Sequence, residues 1–278
     1  MRTLLKIELY KILKRPRTYI GFGAILLIVL ALEFAFFAEG ETLIGFVFQN
    51  LSTVFRLEGK IITMNFLTYM LLNVLILHVP ILICLVTGDI ISGESANGSL
   101  RLLLQRPYSR AKIYMAKWLA GVIYTIALVV FLGLVSYLLG AALFGDGDLI
   151  VFRRGVHVFD AADVQWRFIG AFGMGILSMT VIASLSIMIS SFTNNSIGPI
   201  VGTIAVLIVL NIISTVAANV LQPILPYIFT THVIKWQYFF DTTIDWGSIQ
   251  TAIVVQVVYI LVFTAIGLIN FKRKDILT

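Results

Sequence analysis

The segment Gly88–Trp118, GDIISGESANGSLRLLLQRPYSRAKIYMAKW, is polar and basic, yet it lies between two long apolar runs. From Gly93 to Ser99 it nearly spells the phosphate-binding pattern G-x-x-x-x-G-K-[ST]. No lysine follows Gly98 and no soluble strand leads in, so nothing would reach the terminal phosphates of a nucleotide. The remaining reading is a connection between two membrane-crossing segments.

The rest of the chain agrees. Of its 278 residues, 59% are hydrophobic and only 12% charged, more apolar surface than a soluble domain could hide from water. Lipid offers the backbone no hydrogen bonds, so a spanning chain is a helix bundle or a closed barrel. The apolar runs here are unbroken rather than alternating, which selects helices. The first run is long, lacks a small-residue cleavage site and is followed by more of its kind, so it reads as a span rather than a signal peptide. Cys84, the only cysteine, lies in an apolar run, which leaves no disulfide framework and no Cys/His cluster at metal-ligand spacing.

Hydrocarbon about 30 Å thick takes about 20 residues at about 1.5 Å each. Six stretches qualify: roughly 18–38, 62–87, 117–143, 168–190, 197–218 and 249–270. Both termini then share one side. Short connections rich in Lys and Arg stay in the cytoplasm. Fourteen of the twenty basic residues fall in the N-terminal segment, the 88–117 insert and the tail, while Arg56, Lys60, Arg153, Arg154, Arg167 and Lys235 are spread over the other side. The expectation is cytoplasmic termini, with the net +6 reflecting leaflet bias rather than nucleic-acid binding.

Residues 1–17 read as an amphipathic helix lying along the membrane surface, with Leu5, Leu9, Ile12 and Leu13 on one face, Lys11 and Lys14 turned away from it, and Pro16 ending it. Residues 219–248, with Pro223, Pro226, Trp236, Phe239, Phe240 and Trp246, read as short helices capping the bundle or dipping into the outer leaflet. Within the insert, Leu100, Leu103 and Leu104 share a face, Pro107 stops the helix, and Ser109 can cap the helix entering the third span.

These features resemble the ABC-2 type permeases of ABC exporters. The resemblance rests on Glu94, Gly98-Ser99-Leu100, Leu103-Leu104, Pro107, Ser109-Arg110 and Lys117, and on the tail from Phe271 through the basic triplet to Asp275-Ile276. It implies one all-α transmembrane domain over 1–278, with six membrane helices, an N-terminal interfacial helix, a cytoplasmic coupling helix in 88–112 and a cap or gate in 219–248. It also implies an inner-membrane location in a prokaryote. In that family the loop docks on a separate ATPase subunit. Asp89, Glu94, Gly98, Ser99, Leu100, Leu103, Leu104, Arg106, Pro107 and Arg110 would form the contact. ATP and Mg would sit on that partner, and this chain would bind no cofactor and catalyse nothing. A second permease copy, or a similar permease, would complete the conduit.

Polar groups at membrane depth are functional candidates. Asn73 and His78 in the second span and Asn211 and Ser214 in the fifth are candidates to line a pathway. Glu33 reads as snorkelling to the interface beside Glu39 and Glu41. Gly170, Ala171, Gly173 and Gly175 read as a close-packing stripe. The rival readings are a secondary transporter, which should bury several ionisable groups at mid-membrane, and a scaffold that only recruits a partner.

Overall fold

The computed structural model describes residues 1–47, 61–153, 155–216 and 222–274. Arg56, Lys60, Arg154, positions 219–221 and the tail residues Asp275 and Ile276 lie outside them. The described chain runs α1 (Arg2–Lys14), α2 (Pro16–Val47), α3 (Met64–Thr87), α4 (Asp89–Ala96), α5 (Ser99–Leu104), α6 (Arg110–Phe144), β1 (Leu149–Phe152), β2 (Val156–Phe159), α7 (Ala161–Phe192), α8 (Gly198–Val216), α9 (Phe229–Val233) and α10 (Trp246–Arg273). Among the described residues, six helices are long and apolar enough to cross a membrane. Each overlaps one expected span; α6 and α7 begin well before theirs, at Arg110 and Ala161, and the second candidate, His78–Ala96, runs from α3 on through α4. In α2 the helix breaks at Glu39 (φ −133°, ψ 31°).

Local chemistry sets the boundaries. Arg15 is extended (φ −84°, ψ 128°), as a residue preceding proline must be, and Pro16 opens α2 where its missing N–H is no loss. The Ser109 hydroxyl accepts from Lys112 N at the start of α6, the cap the sequence announces. Thr63 and Asp160 do the same for α3 and α7.

Polar contacts gather at two ends. At one, Arg110 donates to the carbonyls of Lys272 and Lys274, Asn270 donates to Ser191 O, and Lys274 donates to Thr193 O. The end of α10 is therefore on this side, together with α4, α5 and α1, whose Lys11 pairs with Glu94 of α4. At the distal end Asn65 donates to Asp146 and to Gly147 O, and Met64 N to Gly145 O. The core splits likewise. One cluster around Ile83, Tyr114, Leu128 and Ile187 joins the spans, and a second, aromatic one around Phe168, Trp236 and Phe240 lies under the distal cap.

Several expectations need correction. The all-α class holds, with one addition in the distal connection: an antiparallel ribbon, β1 paired with β2 from Leu149↔Phe159 to Phe152↔Val156. In α1 the buried face is Leu4, Glu8 and Ile12, while Leu13 is 57% exposed and Lys11 turns inward. Glu33 does not snorkel: its side chain is fully buried and neither carboxylate oxygen has a hydrogen-bond partner among the described residues. Gly170 lies against the Phe239 ring, but Gly173 and Gly175 face open space rather than a helix.

Candidate functional site: the α1–α4–α6 junction

The insert that opens the argument is two helices with different jobs. Its first part, α4, is buried. The N–H groups at a helix start have no partner within the helix, and α4 carries no side-chain cap of its own. Ser190 of α7 supplies one: its hydroxyl accepts from Ser92 N at 2.9 Å and from Ile91 N at 3.3 Å, and donates to Gly88 O at 2.6 Å. At Gly93 a side chain would collide with the Asp89 carboxylate, so glycine here lets that carboxylate lie over the next turn. There Asp89 meets Arg15 at 2.9 Å and Arg17 at 3.2 Å, at the joint between α1 and α2.

One turn further, Glu94 enters a closed ring of charges. Lys11 Nζ lies 2.8 Å from both Glu8 Oε1 and Glu94 Oε1; Lys117 Nζ lies 2.9 Å from Glu8 Oε2 and 2.7 Å from Glu94 Oε2. The last contact is an ion pair without hydrogen-bond geometry. Lys117 is 0% exposed and also reaches Ile90 O at 3.4 Å. Two acids and two bases alternate, so the ring is neutral and each buried charge has two opposite neighbours, the condition under which burial is tolerable. Burial lowers the pKa of Lys11, but its hydrogen bonds to Glu8 and Glu94 and their negative charges outweigh it and hold the ammonium above its ordinary range. The ring welds α1, α4 and the third span into one body.

Gly98, at φ 70°, then turns the chain, a conformation that favours glycine, and α5 begins. Leu100 is buried and Leu103 and Leu104 are packed partly against the core, so the leucine face that the resemblance would place on a partner is at least partly occupied within the chain. What points outward is the opposite face and the end: Ser99, Arg101, Leu102 (67% exposed), Gln105, Arg106, Pro107 and Tyr108. Of the ten residues expected to form a contact, Ser99, Arg106 and Pro107 are fully available. Asp89, Glu94 and Leu100 face inward, Gly98, Leu103 and Leu104 are partly covered, and Arg110 ties α6 to the end of α10. Glu8 was missed by sequence reasoning, although a lone acid at i, i+4 spacing between Leu4 and Ile12 was the available signal.

The four pathway candidates do not converge. Asn211 donates to Leu207 O and lines a cavity of about 380 Å³ between α3, α8 and α9, with Pro80, Ile81 and Thr230. Asn73 accepts from Gln237 of the distal cap at 2.7 Å and lines a separate cavity of about 300 Å³ with Tyr69 and Arg153. His78 is exposed beside Val74 O, and the Ser214 hydroxyl donates to Leu210 O. Among the described residues no three His, Cys, Asp or Glu side chains are grouped to hold a metal.

The cap is pinned by Arg167, which donates to Phe239 O at 2.7 Å and Asp241 O at 3.1 Å and pairs with Asp163. Trp236, Phe239 and Phe240 are buried beneath it, so the aromatic-rich connection closes the distal end rather than standing free.

Known proteins bear on this arrangement. The chain is 33% identical to the ABC transporter permease protein NatB of Bacillus subtilis over 127 residues, 43% of this chain and 31% of that protein. It is 26% identical to the uncharacterized protein YhcI of the same organism over 198 residues, 69% of this chain and 63% of that one. The chain thus spans less than two thirds of either relative. Together with the six apolar helices, this similarity indicates a multi-pass membrane protein. A family model matches residues 16–277, and the chain belongs to that family, described as protein of unknown function (DUF2705).

Proposed function

We propose that this chain is the transmembrane permease subunit of an ATP-driven ABC exporter, with ATP and Mg held by a separate cytoplasmic ATPase subunit. The observation that carries the reading is the junction: an outward-facing helix, α5, follows α4, which a buried charge ring fixes to α1 and to the third span. A partner pushing on Arg101, Leu102 and Arg106 would not bend the loop. It would move α4, α1 and α6 as one body, which is how differential binding at a distance becomes a motion of spans. In this reading the termini and α4–α5 face the cytoplasm, α1 lies at the inner membrane surface, and α5 is the end of the coupling segment. The chain pairs with a second copy or a similar permease, and the cavity holding Asn211 is the stretch of conduit this subunit contributes.

The test is co-purification and labelling together. A tagged chain should bring down a subunit that hydrolyses ATP. With Cys84→Ser as background, cysteines at Asn97, two residues after Ser95, and at Asn194, which accepts a hydrogen bond from Ser95, should react only with reagent supplied from the cytoplasm. Reaction from outside would place α5 beyond the reach of any cytoplasmic ATPase.

A further inference from the structure

A groove of about 550 Å³ opens on the side of the bundle between α3, α6 and α7. Its lining changes character along its length. Nearest the distal end are Thr68 of α3, Tyr137 of α6 and Gln165 of α7; deeper in are Val129, Phe172 and Ile176. From Tyr137 to Val129 is about 12 Å along α6, and from Gln165 to Ile176 about 16 Å along α7. That is the depth of one leaflet, half of a hydrocarbon core about 30 Å thick. A groove polar at the membrane surface and apolar toward the midplane has the profile of a lipid standing in its own leaflet.

Two details show that the groove is built rather than a gap between poorly matched helices. Gly133 and Gly173 line it. A side chain at Gly133 would strike the Phe172 ring, while one at Gly173 would meet nothing within 4 Å and would project into the open space. And Thr68, 1% exposed, has a hydroxyl with no hydrogen-bond partner among the described residues. A buried hydroxyl without a partner is uncommon and calls for an acceptor from elsewhere. The ester carbonyl of a glycerolipid lies at the surface end of its acyl chain, at the level of Thr68.

We infer that this groove seats one acyl chain of an ester-linked membrane glycerolipid in the leaflet distal to the termini, with the Thr68 hydroxyl turned to donate to the ester carbonyl. The inference depends on the chain spanning a membrane and not on its being an exporter. The remaining apolar surface of α10, including Val254, Val258 and Leu261, is exposed without comparable concavity and meets lipid as ordinary solvent.

The experiment uses the full chain in phosphatidylcholine vesicles carrying a trace of phosphatidylcholine with a diazirine midway along one chain. After irradiation, adducts should concentrate on Phe172, Ile176 and Val129 over the exposed α10 residues. Gly173→Leu should abolish this preference, and Gly175→Leu, equally open but outside the groove lining, should leave it intact. The ether-linked analogue, which lacks the carbonyl, should label the groove about fivefold less at limiting probe, the worth of one neutral hydrogen bond. Thr68→Val should erase that difference between ester and ether. Adducts spread evenly over α10 and the groove, or groove labelling unchanged by Gly173→Leu, would overturn the site. Equal labelling by ester and ether lipids in the native chain would overturn the role of Thr68.

Discussion

Glu94 and Lys117 lie 23 positions apart on α4 and α6, and their charged ends meet at 2.7 Å with Lys117 wholly shut off from solvent. Removing one partner of a buried pair leaves an uncompensated charge, which typically costs about 3–5 kcal/mol. Lys117→Met is therefore expected to lower stability by that order, leaving Lys11 as the one cation facing Glu8 and Glu94. Glu94→Gln alone is also destabilising. The double variant should recover at least about 1 kcal/mol relative to the sum of the two, because the pair is lost together. Thermal unfolding in one detergent gives all four corners of the cycle, and strict additivity would show that the ring is not a coupled unit.

The ring also fixes a direction for pH. Lys11 is held above its ordinary 10.5 because Glu8 and Glu94 more than offset the effect of burial. A lysine raised in the folded state contributes stability that is complete below its unfolded value and disappears as pH climbs through the folded one. The midpoint of unfolding should therefore stay level up to pH 10.5 and fall beyond it, more steeply in the native chain than in Lys11→Met. Identical alkaline profiles would place Lys11 outside the ring.

Glu33 makes the opposite case. It is buried with both carboxylate oxygens lacking a hydrogen-bond partner among the described residues. An unsatisfied buried polar group costs about 1–3 kcal/mol, which an apolar group of similar size avoids. Glu33→Leu should raise stability by that order, and Glu33→Gln, which keeps a polar group in place, should gain less. A marked loss with Glu33→Leu would reveal a partner for the carboxyl and restore the rival reading of an ion-coupled carrier.

The parts legible in the sequence are those set by local chemistry. Unbroken apolar runs gave six spans because a bilayer demands about 20 residues whatever the tertiary context. Pro16 and Ser109 marked helix boundaries because backbone sterics and capping act within a few residues. The β1–β2 ribbon was readable in principle. Leu149–Phe152 and Val156–Phe159 are rich in β-branched and aromatic residues and are separated in sequence by three residues ending in Gly155, a hairpin pattern overlooked beside the stronger helical signal. The charge ring was not readable. Glu8 and Lys117 are 109 positions apart, and periodicity along one helix says nothing about which distant charge it will meet. For the same reason Lys11 was expected to face headgroups when it turns toward the ring, and the leucine face, which the resemblance would place on a partner, packs partly against the chain's own core.

In the proposed assembly α5 presents the chain to an ATPase, and a cross-link from that helix reports the contact. In the Cys84→Ser background, Leu102→Cys, at a position 67% exposed, should be joined by a short thiol-to-amine cross-linker to the ATP-hydrolysing subunit. Tyr227→Cys on the distal side, 70% exposed, should give no such product. The Leu102 cross-link should change in yield when the ATPase is held with a non-hydrolysable nucleotide, because the seated helix must move with its partner. Absence of any ATPase cross-link from Leu102→Cys in a complex that still co-purifies would show that α5 does not face the ATPase, and an ATPase cross-link from Tyr227→Cys would invert the topology.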